Sequence, residues 1–224
     1  WSTRRLHTIT RPECAALHRR LGKDNGPIYA NRVLALLSCL FGKAESLLGW
    51  SGPNPTEKIE RYKEHRRERV FSPDELRALL GAIAQEPSAL WRAYWATAVW
   101  TGCREHSIVR MRWEDLRLDI GQWTVPAAFS KNDKALGIVL LPPVVDALLE
   151  LRAKSGGNGT GWVFASRRAP GGHTTDVRHH WQLLKARAGL TDPALIPYAL
   201  RHSLGSSLAT AGVEPDLVVL LDLP

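Results

Sequence analysis

Apolar residues recur at helical spacing through most of this chain, and one polar break divides the pattern into two blocks. In the first block, "RPECAALHRRLG" predicts a short helix ended by Gly22. "PIYANRVLALLSCLFGKAESLLGW" predicts a longer helix opening on Pro27, whose missing N–H costs nothing at a helix start. "SGPNP" at 51–55 stops that pattern. The run "TEKIERYKEHRRERV" follows, with six basic and four acidic residues from Glu57 to Arg69, and reads as a solvated helix or linker.

The second block opens on "SPDELRALLGAI". Ser72 is the N-cap, Pro73 takes the first helical position and Glu75 completes a capping box. "ALWRAYWATAVW" predicts an apolar helix that closes at Thr101-Gly102, with Trp91, Trp95 and Trp100 in the core. "REHSIVRMRWEDL" predicts a short helix, and "GQWTVP", "ALGIVLLP" and "WVFAS" predict strands. "PVVDALLELRAK", "TTDVRHHWQLLKARAG" and "ALRHSLGSSLATAG" predict helices. Of the four tyrosines, Tyr29 and Tyr94 fall in apolar helical patterns and are expected in the core, while Tyr62 lies in the charged joint. The expected fold class is mainly α with a small antiparallel β-sheet (α+β). It divides into a helical domain over 1–69, with a basic linker at 51–70, and a second domain over 71–224.

Composition narrows the partner. Lys and Arg number 30 against 22 Asp and Glu, a formal charge of +8, which favours a polyanion, nucleic acid before membrane. No uninterrupted apolar span reaches membrane length, and no signal peptide is visible. Cys14, Cys39 and Cys103 lack metal-ligand spacing, and an odd number argues against a disulfide framework. A reducing, cytoplasmic compartment is expected. The chain starts on Trp1 and ends on the apolar "LVVLLDLP", which reads as truncation at both ends.

Arg104 follows the Thr-Gly break one residue on, after Cys103, in "TGCREHSIVRMRWEDL". It is either surface charge or one jaw of a phosphate clamp. Arginine suits a clamp because its planar fork gives two parallel hydrogen bonds to phosphate oxygens. The candidate second jaw is Arg201 in "PYALRHSLGSSLATAGV", near a helix start where backbone N–H groups also favour an anion. Lys131 in "FSKND" sits between two expected strands, where a lysine can reach a site and protonate a leaving oxygen. Arg178 lies in the Arg- and His-rich "RRAPGGHTTDVRHHWQLLKARAG", which fits a helix face along DNA backbone. A zinc site from His173, His179 and His180 lacks a completing cysteine or carboxylate pair, so no metal is expected.

Three stretches together resemble the tyrosine recombinase (phage integrase) family. "TGCREHSIVRMRWEDL" resembles its first motif, a Thr-Gly-x-Arg opening a helix that leads to Leu-x-Trp-x-Asp-Leu. "FSKNDKALGIVLLP" is similar to its lysine-bearing strand–turn–strand, and "YALRHSLGSSLATAGV" to its His-x-Leu-Arg-His-Thr helix. The resemblance covers about Ser72 to the C-terminus, and the helical block with its basic joint resembles the family's core-binding domain. It implies DNA strand cleavage and rejoining by a tyrosine that forms a 3′-phosphotyrosine, with no metal or nucleotide cofactor. It implies double-stranded DNA as partner, self-association on DNA (a tetramer in the family) and a nucleoid-associated place of work. Carried over, Arg104 and Arg201 stabilise charge on the non-bridging oxygens, and Lys131 protonates the 5′ oxygen. Arg66, Arg67, Arg69, Arg178 and His202 become DNA contacts.

The pattern is broken in places. Ser107 stands where the family usually has Glu, and Tyr198 where it has the proton-transferring His. A phenol can hydrogen-bond to phosphate but is a poor base at neutral pH. No tyrosine follows Tyr198, so the chain as given is expected to bind DNA without cleaving it. A non-catalytic DNA-binding relic of a mobile element is the alternative.

Overall fold

The computed structural model describes residues 3–64, 69–129, 134–156, 160–169, 171–201 and 203. The chain separates into two compact units, Trp1–Arg67 and Glu68–Pro224.

The first unit is a helical hairpin with a strap. Helix α1 spans Arg11–Asn25 and α2 spans Pro27–Leu48, with Gly26 between them at φ 94°, a conformation that favours glycine. Thr10 starts α1, and its backbone N–H donates to the Glu13 carboxylate at 3.0 Å. Helix α1 does not stop at Gly22, as the sequence pattern suggests, but runs on to Asn25. Gly22 is there because the Tyr62 ring lies over it; a Cβ would come within 2.5 Å of the Tyr62 hydroxyl. Residues 57–64 form no helix. They return over the hairpin and are held there by Asn31, so this part of the expected linker is a packed strap. Pro55 and Thr56 are buried ahead of it. Tyr29, expected in the core, is 52% exposed, because α2 turns that face away from α1.

The second unit begins with the expected capping box. Ser72 Oγ accepts from the Glu75 N–H at 3.2 Å, and the Ser72 N–H donates to Glu75 at 2.8 Å. Helix α3 (Pro73–Ala84) packs on α4 (Ala89–Thr101), and α4 packs on α6 (Pro142–Ser155). Between them run α5 (Glu105–Val109), β1 (Leu116–Arg117), β2 (Gln122–Val125) and β3 (Leu136–Val139), and α7 (Arg178–Arg187) follows α6. The strands form an antiparallel sheet in the order β1-β2-β3, with Trp123 opposite Ile138. Alternate residues of β2 are buried, so Trp123 and Val125 face the core.

Trp95, Trp123 and Trp181 are each at most 1% exposed. Each removes roughly 150–250 Å² from water, an upper limit of about 4–6 kcal/mol at ~25 cal/mol/Å². Trp95 is core as expected, but Trp91 is half-buried under His180 and Trp100 is 36% exposed. Three further expectations change. "REHSIVRMRWEDL" splits into α5 and a 3-10 turn at Trp113–Asp115, because residues 111–113 turn aside to bond 161–163. "WVFAS" makes only isolated bridges, Arg112 with Trp162 and Ala165 with His173. Helix α7 starts four residues later than the pattern suggests, at Arg178, where the Asp176 carboxylate accepts its N–H at 2.9 Å. No described helix is long and apolar enough to cross a membrane.

Candidate active site

The site begins with the end of α4. Thr97 and Thr101 are buried, and their hydroxyls bond back to the carbonyls of Ala93 and Thr97 at 2.8 and 2.7 Å. Both buried hydroxyls are therefore satisfied within the helix itself. Gly102 closes it at φ 60°, a left-handed C-cap that a side chain would strain. That turn sends the chain out extended at Arg104 (φ −64°, ψ 140°), whose carbonyl accepts the first N–H groups of α5, from Ser107 and Ile108. Arg104 is thus the N-cap residue of α5, half-buried at the foot of the Thr-Gly turn.

Arg201 reaches the same turn from the other end of the chain. Its Nη1 donates to the Gly102 carbonyl at 2.9 Å across 99 residues of sequence. The segment that delivers it is fixed at several points. The Trp181 indole donates to the Leu195 carbonyl at 3.0 Å, and Lys185 Nζ to the Asp192 carbonyl at 2.5 Å. Residues 197–201 and 203 are helical. Ser203 Oγ accepts the Phe71 N–H at 2.8 Å, tying that helix to the start of α3.

Both arginines line one cleft of about 80 Å³, together with Cys103, Glu105 and Tyr198. A single water's share is ~30 Å³, so the space suits a small group. Arg201 is 4% exposed, and its Nε and Nη2 are buried with no hydrogen-bond partner among the described residues. Burial, and then the like charge of Arg104, pull its guanidinium below its ordinary value; Cys103 and Tyr198 pull the other way. Burial pushes the Cys103 thiol up, against the Thr101 hydroxyl and both arginines. Burial also lifts the Glu105 carboxyl above the usual carboxylate range, with Arg178 opposing and Asp176 adding to it. Two cations, one with unmatched donors, are chemically suited to an anion with several oxygens.

The structure distributes the sequence candidates unevenly. Arg104, Arg201 and Tyr198 come together, with Tyr198 51% exposed at the rim. Arg178 is exposed at the start of α7, near enough to act on Glu105. Arg69 is engaged elsewhere: Nε donates to Asp192 at 2.8 Å and Nη2 to Glu75, so its charge staples the start of α3 to the 190–196 loop. Lys131, Arg66, Arg67 and His202 lie outside the described residues. Phe129, two residues before Lys131 in sequence, packs its ring against His106 and Arg110 of the Arg104 helix region.

Sequence reasoning passed over Cys103, Glu105 and His106. The pattern could have flagged Glu105, an acid directly beside the candidate arginine. Burial, then Arg110, Arg104 and His173, hold the His106 imidazole below its ordinary value. Of the histidines weighed for zinc, His180 stacks on Trp91 at 3.7 Å and His173 packs edge-on against Trp162.

A model of the phage integrase family matches residues 69–221. Among solved structures, the Tn1549 transposon integrase in complex with transposon right end DNA superposes with a TM-score of 0.75 at 16% identity, covering 97% of this chain and 78% of that one. A lambda integrase dimer bound to a COC′ core site gives 0.73 at 20% identity, covering 96% and 79%. A lambda integrase tetramer bound to a Holliday junction gives 0.73 at 21%, covering 96% and 64%. No curated protein sequence matches the chain.

Proposed function

The chain belongs to the phage integrase family, and we propose that its arginine cleft holds a phosphate of duplex DNA for site-specific strand cleavage and rejoining. The observation that carries this is Arg201, buried in the cleft beside Arg104 with two guanidinium nitrogens unmatched among the described residues. A buried unmatched donor costs about 1–3 kcal/mol, more when charged, and a phosphate oxygen supplies the missing acceptor.

In this reading Arg104 and Arg201 neutralise charge that builds on the non-bridging oxygens as the phosphate passes through five-coordination. Lys131 gives a proton to the departing 5′ oxygen. Tyr198, at the rim, donates its hydroxyl to the phosphate in the place where the family's histidine stands. The attacking group of the family reaction is a tyrosine, and attack leaves the DNA 3′ end as a phosphotyrosine. The reaction draws on no metal. Exposed Arg178, together with Arg66, Arg67 and His202, positions the duplex through its backbone. Arg69 supports the fold through its two carboxylates before it serves DNA. The first unit acts as the core-binding domain, and copies of the chain assemble on paired DNA sites, as the lambda integrase tetramer does on a Holliday junction. The place of work is the nucleoid, in the cytoplasm.

Titration of a fluorescent duplex at graded salt tests the reading. Affinity is expected to fall with a log–log slope of about −0.9 per phosphate neutralised. A slope near zero, or no retention at low salt, contradicts it.

A further inference from the structure

The first unit contains a buried polar group that the family reading does not use. Asn31 of α2 is 3% exposed. Its side-chain amide pairs with the backbone of Tyr62 in both directions. Nδ2 donates to the Tyr62 carbonyl at 2.8 Å, and Oδ1 accepts the Tyr62 N–H at 3.0 Å. Nδ2 also donates to Glu64 at 2.9 Å, and Oδ1 accepts from His18 Nε2 at 3.0 Å. The two donor hydrogens and both acceptor positions are therefore all used. Glu64 is in turn paired with Arg32 at 3.0 Å.

The Tyr62 side chain completes the lock. Its ring stacks on His18 at 4.7 Å between centroids and lies over Gly22, where a Cβ has no room. With Tyr62 turned inward, Arg61 and Lys63 are turned outward, and both are exposed. Among the described residues neither makes an ion pair. A flexible basic segment must be ordered when it meets DNA, at a cost in conformational entropy, whereas a locked one is ordered already.

We infer that Asn31 is a positioning residue: it locks the 57–64 strap so that Arg61 and Lys63 stand as fixed contacts to DNA phosphates. This rests on the proposal that the chain binds duplex DNA. The test compares the salt dependence of binding to a short duplex for the full chain, Asn31→Ala, Arg61→Ala/Lys63→Ala and the triple variant. The surface pair is expected to make the log–log slope shallower by about 1.8, from about 0.9 per phosphate. Asn31→Ala shifts the slope the same way, and adding it to the surface pair changes nothing further. Loss of folded protein alone lowers the binding-competent fraction but leaves the slope in place. Arg61→Ala/Lys63→Ala touches no buried group, so it tests the contacts without disturbing the hairpin. Wild-type binding with an unchanged slope in Asn31→Ala overturns the positioning role alone. An unchanged slope in the surface pair overturns the contacts. Absence of salt-sensitive binding by the wild type overturns the DNA reading and this one with it.

Discussion

At the scale of single residues, burial decides which charges support the fold and which are left for a ligand. Glu86 is 4% exposed and accepts from Arg187 and, at 3.1 Å, from the Ser88 N–H. Burial alone would raise its carboxyl, but these donors overcome that and hold it below the usual carboxylate range. A carboxyl depressed in the folded state adds stability above its unfolded value of about 4.3, and that contribution is lost as pH falls through the folded value. Glu86→Gln is therefore expected to lower stability by about 1–2 kcal/mol at pH 7, a figure kept small because the Arg187 side chain is 35% exposed. Urea melts should show the deficit shrinking below about pH 4. A deficit that stays constant down to pH 3 contradicts the ion-pair account. Arg104 and Arg201 were legible in the sequence because each sits in a recognisable stretch. Glu86 and Asn31 were not, because their partners are brought to them only by the fold, across 101 and 31 residues.

At the scale of elements, apolar spacing identified every long helix among the described residues, and the errors fall where a tertiary contact overrides local preference. Gly22 is the clearest case. It reads as a helix stop, yet it lies inside α1 because the Tyr62 ring needs the space. Gly42, inside α2, has open space on the side where a methyl group would stand, with nothing within 4 Å. Alanine in a helix interior is favoured over glycine by about 0.8–1.0 kcal/mol. Gly42→Ala should raise the thermal midpoint accordingly, while Gly22→Ala should yield no gain and should release Tyr62 from His18. Equal stabilisation by both substitutions would show that the strap does not pack on α1. The strand reading of "WVFAS" failed for a related reason: those residues cross-link 111–113 and 172–174 through single bridges rather than extend the sheet.

At the scale of the whole molecule, the formal charge of +8 and pI near 9.8 point to a polyanion, and the second unit brings Arg104 and Arg201 to one cleft. The sequence motifs indicated that Arg104 and Arg201 belong together, 97 residues apart in the numbering. They could not indicate that Gly102 is the joint, offering its carbonyl to one arginine and its left-handed turn to the other. The central claim is that these two arginines act on one phosphate. The most direct measurement is a double-mutant cycle on duplex-DNA affinity with Arg104→Ala, Arg201→Lys and the double variant, each matched for folded content by circular dichroism. If they share a phosphate, the combined loss should depart from the sum of the single losses by about 0.5–3 kcal/mol, as for residues in one network. Losses that add to within about 0.3–0.5 kcal/mol, as for independent sites, would contradict the account.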